Sequence, residues 1–390
     1  MLKVLLIFGF LAAGIVPLSA AQDKTENLQS DIDLLAEGTI KRNSLPSLQI
    51  AIGYKGDVVF EKAYGHSDLA AKKLATTNTL YRTASISKWL TGTATMRLVE
   101  EGAVDLDSPI QTYCPQFPEK PWPITTRQLL SHTSGIRHYA FLNGARHRAA
   151  TDEEYEKVEA WAKRIEDSYT TRYTDVIAPL GPFKDDPLRF EPGTRHQYTS
   201  FGYRVLGCVL RGAADKPYNT IMREFIFEPA GMSSTTVDDS AKALEARATY
   251  YQFDSTGKPV FAPERDVSEN LPAGGHLSTA TDIVKFSQAF DQGALVNAST
   301  IELMSSLPRN NDGEEINAGY GHGVDFMGAF PGSLGHGGFQ EGTTTLVILL
   351  PETDVSIAVF TNVSGWQNVN GFTKQVLEAF EKNLERDTLN

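Results

Sequence analysis

With 390 residues the chain has room for one large core plus an inserted subdomain. A composition of 41% hydrophobic and 22% charged residues is that of an ordinary globular protein. The formal charge of −12 argues against nucleic acid and against an anionic membrane surface as partners.

Lys3 gives the start a basic residue, and residues 4–18 form an apolar run broken by Gly9, Gly14 and Pro17. Ser19, Ala20 and Ala21 offer a cleavage site before Gln22, so residues 1–21 are expected to be an export signal. The run is shorter than the ~20 residues of a spanning helix. A periplasmic or extracellular protein without membrane contact after signal removal is therefore expected. Of the two cysteines, Cys208 sits in the apolar stretch 205–210 and Cys114 follows Tyr113 at what reads as a buried loop end. They are expected to be independent core thiols rather than a bridge. Neither has a metal or redox spacing, and no cofactor is expected.

A helix is expected over residues 26–42, then strands over 48–54 and 58–63 joined by the turn Lys55-Gly56-Asp57. Ile86, Leu90, Ala94 and Leu98 mark a buried helix from 86 to 101. Between about 114 and 263 the texture is helical. Residues 153–166 read as a charged, solvated helix and nothing more, with further helices at 201–212 and 218–228. Thr279-Ala280-Thr281-Asp282 reads as a capping box opening a helix through Phe290. Strands follow at 333–339, 343–350 and 355–361, and an amphipathic helix at 368–384 closes the chain. The expected class is α+β: an antiparallel sheet built from both chain ends, flanked by helices, with an inserted all-α region. The expected division is 22–115 with 264–390 for the sheet domain and 116–263 for the helical insertion.

Three short elements carry chemistry. Ser85-Ile86-Ser87-Lys88 opens the buried helix, and positions i and i+3 share one face, with Cβ atoms ~5–6 Å apart. The helix N-terminus favours negative charge developing at Ser85. A partly desolvated Lys88 has an accessible neutral form, which accepts a proton from a serine. The same spacing in Ser255-Thr256-Gly257-Lys258 falls in a turn, where no helix holds the pair together. The second element is Tyr198-Thr199-Ser200. The third is Gly335-His336-Gly337-Gly338 on a strand, whose glycines permit close approach to the backbone.

In this order the three elements resemble the serine β-lactamase and penicillin-binding protein superfamily, whose pattern is S-x-x-K, then Y-x-N or S-x-N, then K-T-G or H-x-G. The stretches 125–135 and 273–279 also look like that superfamily. Within it the chain is most similar to class C-like hydrolases, and to the mitochondrial serine β-lactamase-like protease type as an exported bacterial relative, through Ala84–Lys88, 134–139 and 201–203. The resemblance implies Ser85 as nucleophile, with Lys88 and Tyr198 sharing the proton work. It implies an oxyanion hole from the N–H groups of Ser85 and Phe339, the residue after Gly338. His336 is expected to orient Tyr198 or hold a substrate carboxylate, with a pKa near the ordinary ~6.5.

Two departures bear on substrate. Ser200 stands where the pattern has Asn, and His336-Gly337 stands where it has Lys-Thr, which removes a permanent cation. A serine hydrolase of peptide, ester or related small acyl substrates is expected ahead of a true β-lactamase or D-Ala carboxypeptidase. A penicillin-binding or scaffold protein without turnover is the reading from another class. A Ser-His-Asp hydrolase lacks its G-x-S-x-G elbow, and a zinc hydrolase lacks H-E-x-x-H. His132 is read as a loop-fixing residue rather than a base.

Overall fold

The structure is a computed structural model that describes residues 18–139 and 151–388. The expected export segment lies outside the described residues up to position 17. The first helix, α1, spans Leu18–Asn43 and is followed by strands β1 (Ser47–Tyr54) and β2 (Asp57–Asp68). Helix α2 spans Ile86–Glu100, α3 Ser200–Ala214 and α4 Ala280–Asp291. Strands β3 (Leu334–Gln340), β4 (Thr343–Leu350) and β5 (Val355–Thr361) precede the closing helix α5 (Val369–Thr388).

One seven-stranded antiparallel sheet joins the chain ends, in the order Lys73–Leu74, β2, β1, β5, β4, β3, Asp325–Phe326. Ala51 of β1 faces Ala358 of β5, and Val347 of β4 faces both Ala358 and His336. The central strands are apolar on both faces because both are covered. Ile50, Ile52, Leu346, Ile348, Ile357 and Val359 pack under α1 and α5. The alternate residues Ala51, Val347, Leu349, Ala358 and Phe360 belong to the larger core that holds α2 and α4. This period of two is the pleat of the strands.

Helix α2 runs through that core and is buried almost all round, from Ile86 to Met96. Trp89 sits edge-on to Phe286 and Phe290 of α4, at 5.1 and 5.3 Å between ring centres. The α+β class and the sheet built from both ends are therefore as expected. Residues 218–228 are not one α-helix: Tyr218–Met222 continues as a π-helical stretch, Arg223–Phe227. The middle of the chain also carries short strands, Thr236–Val237, Tyr251–Phe253 and Pro259–Phe261, for which no sequence signal was found.

Two further expectations are corrected. Cys114 and Cys208 form a disulfide, with Cα atoms 5.5 Å apart. Their burial, which read as core packing, is real, but the loop at Cys114 lies directly on α3. Gly212 permits this approach: a Cβ there would stand 1.7 Å from Tyr113 O. The second correction concerns the charged helix Asp152–Ser168, which does more than face solvent. Trp161, Ala162 and Ile165 form a buried stripe on it, and Ala162, Ile165 and Glu166 line the main cleft. Among the described residues no helix is long and apolar enough to cross a membrane.

Candidate active site

The turn that presents Ser85 is clamped from two sides. Thr83 N–H donates to His276 O at 2.9 Å, and the hydroxyls of Thr343 and Thr345 on β4 donate to Arg82 O and Thr83 O, both at 3.1 Å. Ala84 is held at φ 46°, a left-handed conformation costly for a residue with a side chain. The strained turn sets Ser85 as the N-cap of α2 without using its hydroxyl as a cap. That hydroxyl is left for other partners.

Lys88, one turn later, is 1% exposed. Its Nζ lies 3.0 Å from Ser85 Oγ and 2.8 Å from Ala273 O. It also sits over the rings of Tyr198 and Tyr203, at 5.0 and 5.8 Å. Burial drives its pKa down to about 7; Asp325 opposes this and Arg204 adds to it. Between about 7 and the ordinary 10.5 the unfolded chain therefore holds a proton that the folded chain lacks. This group's contribution to stability consequently rises with pH across that window and is at its worst below it. Lys88→Met is expected to raise the melting temperature most near pH 6 and least near pH 10. Thermal melts across that range test this; a shift independent of pH would contradict it.

Tyr198 stands just before α3, whose N-cap Thr199 accepts from Gly202 N–H at 3.1 Å. Burial holds its pKa well above 10, with Asp325 acting in the same direction and the neighbouring Ser85 hydroxyl opposing them. His132 fixes this segment. Its Nδ1 accepts from Thr199 N–H at 3.1 Å, and its ring lies 4.4 Å from that of Tyr198. Burial keeps His132 neutral. Ser200 N–H donates to Nδ1 of His138 at 3.1 Å, so His138, neutral with a pKa driven by burial down to about 3, carries its proton on Nε2.

Strand β3 forms the opposite wall. Gly338 has no room for a side chain: a Cβ would stand 2.0 Å from Thr345 Oγ1 and 2.5 Å from Thr83 O. This close approach sets the backbone of Phe339 beside the Ser85 turn, while the Phe339 side chain is 58% exposed. His336 departs from expectation. It is 3% exposed, and burial, then the charge of Lys88, pushes its pKa down to about 3. At neutral pH it is an uncharged ring, not a group poised near 6.5.

Ser85, Tyr198, Ser200, His336 and Phe339 line one cleft of about 1210 Å³. Lys88 lies beneath Ser85, and Gly338 in the strand behind. Ser87, buried and paired with Thr83 Oγ1 at 2.8 Å, faces away into the core. Ser255 lies in an exposed turn folded around Asp254. His138 and Asp325 also line the cleft. Sequence reasoning gave neither a role. His138 carried a signal in the stretch 134–139, whereas Asp325 is a lone acid between Val324 and Phe326 and is brought in only by strand pairing.

The beta-lactamase family model matches residues 32–379. Over 327 residues the chain is 29% identical to the mitochondrial serine beta-lactamase-like protein LACTB of Mus musculus, covering 70% of this chain and 59% of that protein. The chain thus spans about three fifths of that relative's length. Among solved structures it is similar to D-amino acid amidase from Ochrobactrum anthropi SV3, with TM-score 0.70 and 24% identity over 91% of this chain and 99% of that one. It is likewise similar to EstCE1, a hydrolase with promiscuous acyltransferase activity, with TM-score 0.70 and 21% identity over 91% and 98% of the two chains. At these identities the structural likeness speaks for the fold.

Proposed function

Since this chain belongs to the beta-lactamase family, we propose that it is a serine hydrolase acting through an acyl-enzyme at Ser85 on a peptide, ester or related small acyl substrate. The observation that carries this is the 3.0 Å contact between Lys88 Nζ and Ser85 Oγ beneath an open cleft. When Lys88 is neutral, one N–H still donates to Ala273 O, and the nitrogen lone pair is free to accept the Ser85 proton. Ser85 Oγ then bonds to the substrate carbonyl carbon, and its proton passes to the Lys88–Tyr198 pair. The carbonyl oxygen, now negative, takes the N–H groups of Ser85 and Phe339. The bond to the leaving group breaks, and that group recovers the proton. Water, activated by the same pair, releases the acyl group from Ser85.

Uncharged His336 offers no cation to a β-lactam carboxylate, which favours esterase or peptidase work over β-lactamase or D-Ala carboxypeptidase work. The names of the relatives, an amidase and a hydrolase with acyltransferase activity among them, agree with an acyl substrate. Export, proposed from the sequence, is in keeping with the Cys114–Cys208 disulfide.

A fluorophosphonate probe is expected to modify Ser85 alone, with penicillin as a slower second label. Intact mass and peptide mapping read the site. Labelling that survives in Ser85→Ala, or that appears on Ser87 or Ser255, would overturn the mechanism. Stable labelling without turnover of any ester, amide or β-lactam would support a binding protein instead.

A further inference from the structure

Asp325 enters the cleft from the two-residue strand Asp325–Phe326, which pairs with β3 at Gly335 and Leu334. Its Oδ2 lies 3.3 Å from Nε2 of His336, whose side chain is 4% exposed. The other ring nitrogen, Nδ1, lies 2.7 Å from Gly337 O. A carbonyl oxygen only accepts, so Nδ1 carries a proton. In an uncharged ring Nε2 is then a bare lone pair, and it is buried without a hydrogen-bond partner. A buried lone pair facing a carboxylate oxygen at that distance would be left unsatisfied, with two acceptors set against each other, while the Asp325 side chain is 16% exposed at the cleft. A proton between them satisfies the buried nitrogen and removes the repulsion.

We infer that Asp325 and His336 hold one proton between Oδ2 and Nε2, so that Asp325 is a positioning residue and the end of the cleft they form takes an uncharged acyl group rather than a carboxylate. The surrounding titratable groups agree with this. Burial raises Asp325 well above the ordinary carboxylate range, against the pull of Lys88. Facing the pair are Lys88 from α2, Tyr198 from the segment just before α3, Tyr203 from α3, Tyr320 from the segment before Asp325, and His132. Burial keeps the tyrosines protonated and His132 neutral, which leaves Lys88 as the nearby group that titrates around pH 7. Where the family pattern places a permanent cation, this chain places a neutral acid–imidazole pair.

The substrate half of the inference rests on Ser85 being the nucleophile; the shared proton does not, and the two are read separately. An infrared difference spectrum of wild type minus Asp325→Asn at pH 7 is expected to show the C=O stretch of a protonated carboxyl. Its absence would overturn the shared proton. Asp325→Leu is expected to lower kcat for p-nitrophenyl butyrate about 10-fold or more, with Asp325→Asn, whose amide N–H still donates to Nε2, recovering most of it. No recovery would argue against positioning through that hydrogen bond. Wild type is expected to prefer p-nitrophenyl butyrate over mono-p-nitrophenyl succinate by about 10-fold in kcat/KM, the cost of placing a carboxylate without a counter-charge. Equal rates would overturn the uncharged acyl end. A carboxyl band with no turnover of any ester would keep the proton pair and count against Ser85 as nucleophile.

Discussion

Lys88→Ala is expected to lower turnover of a neutral ester by ~10²-fold or more, and Tyr198→Phe by a similar factor. Both groups flank the same hydroxyl: Lys88 Nζ lies 3.0 Å from Ser85 Oγ, and Tyr198 lines the cleft beside it, where the Ser85 hydroxyl acts on the phenol. Lys88 takes the proton and the protonated Tyr198 phenol relays it, so either loss interrupts the same transfer. The double variant should therefore fall far short of the product of the two single losses, because the residues work as a unit. The pH profile gives a separate reading. Burial puts Lys88 at about 7, so kcat/KM of the wild type should rise with pH through that value as the amine loses its proton. In Lys88→Ala that limb should vanish. Fully independent losses, or a limb that survives without Lys88, would show that another group takes the proton.

Gly338→Ala should cost ~10²–10³-fold in kcat if the Phe339 N–H is an oxyanion donor. The added Cβ would meet Thr345 Oγ1 at 2.0 Å, Thr83 O at 2.5 Å and Ala84 Cβ at 3.1 Å. A threonine hydroxyl can rotate, but the Thr83 carbonyl is backbone in the turn that presents Ser85. Strand β3 must therefore draw away from that turn and take the Phe339 N–H with it. The same overpacking should lower stability by ~1–3 kcal/mol. Phe339→Ala is the control, since it keeps the N–H and removes a side chain that is 58% exposed. Steady-state kinetics and thermal melts on both variants separate the effects. A Gly338→Ala protein that melts early but keeps its kcat would show that the strand's position matters for folding and not for the oxyanion.

What could be read from the chain alone was local in origin. Ser85 and Lys88 lie one helical turn apart, so a helix starting at Ile86 is enough to bring them together. The strands at both ends announced themselves by turn residues and apolar runs, and hairpins give the pairings of near neighbours, whereas the junction of Ala51 with Ala358 that closes the sheet is long-range. The same local logic separated the helical Ser85–Lys88 pair from Ser255–Lys258 in its turn. Tyr198, His336 and Phe339 were reached through a family pattern, because nothing in 113 or more residues of separation tells which loop meets which strand. Tertiary structure alone decided the rest. Burial read correctly at Cys114 and Cys208, but a bond across a separation of 94 residues depends on a loop lying against α3, and no local rule places it there. Residues 153–166 read as a solvated helix because their charges outnumber their apolar stripe; packing turned Trp161, Ala162 and Ile165 inward. His336 lost its ordinary pKa to a lid of neighbours supplied by other segments. Asp325 became part of the cleft only through its pairing with β3. Reactive groups can be named from residue type and short spacing, but their charge state is set by water exclusion and by partners distant in the chain, and these exist only once it is folded.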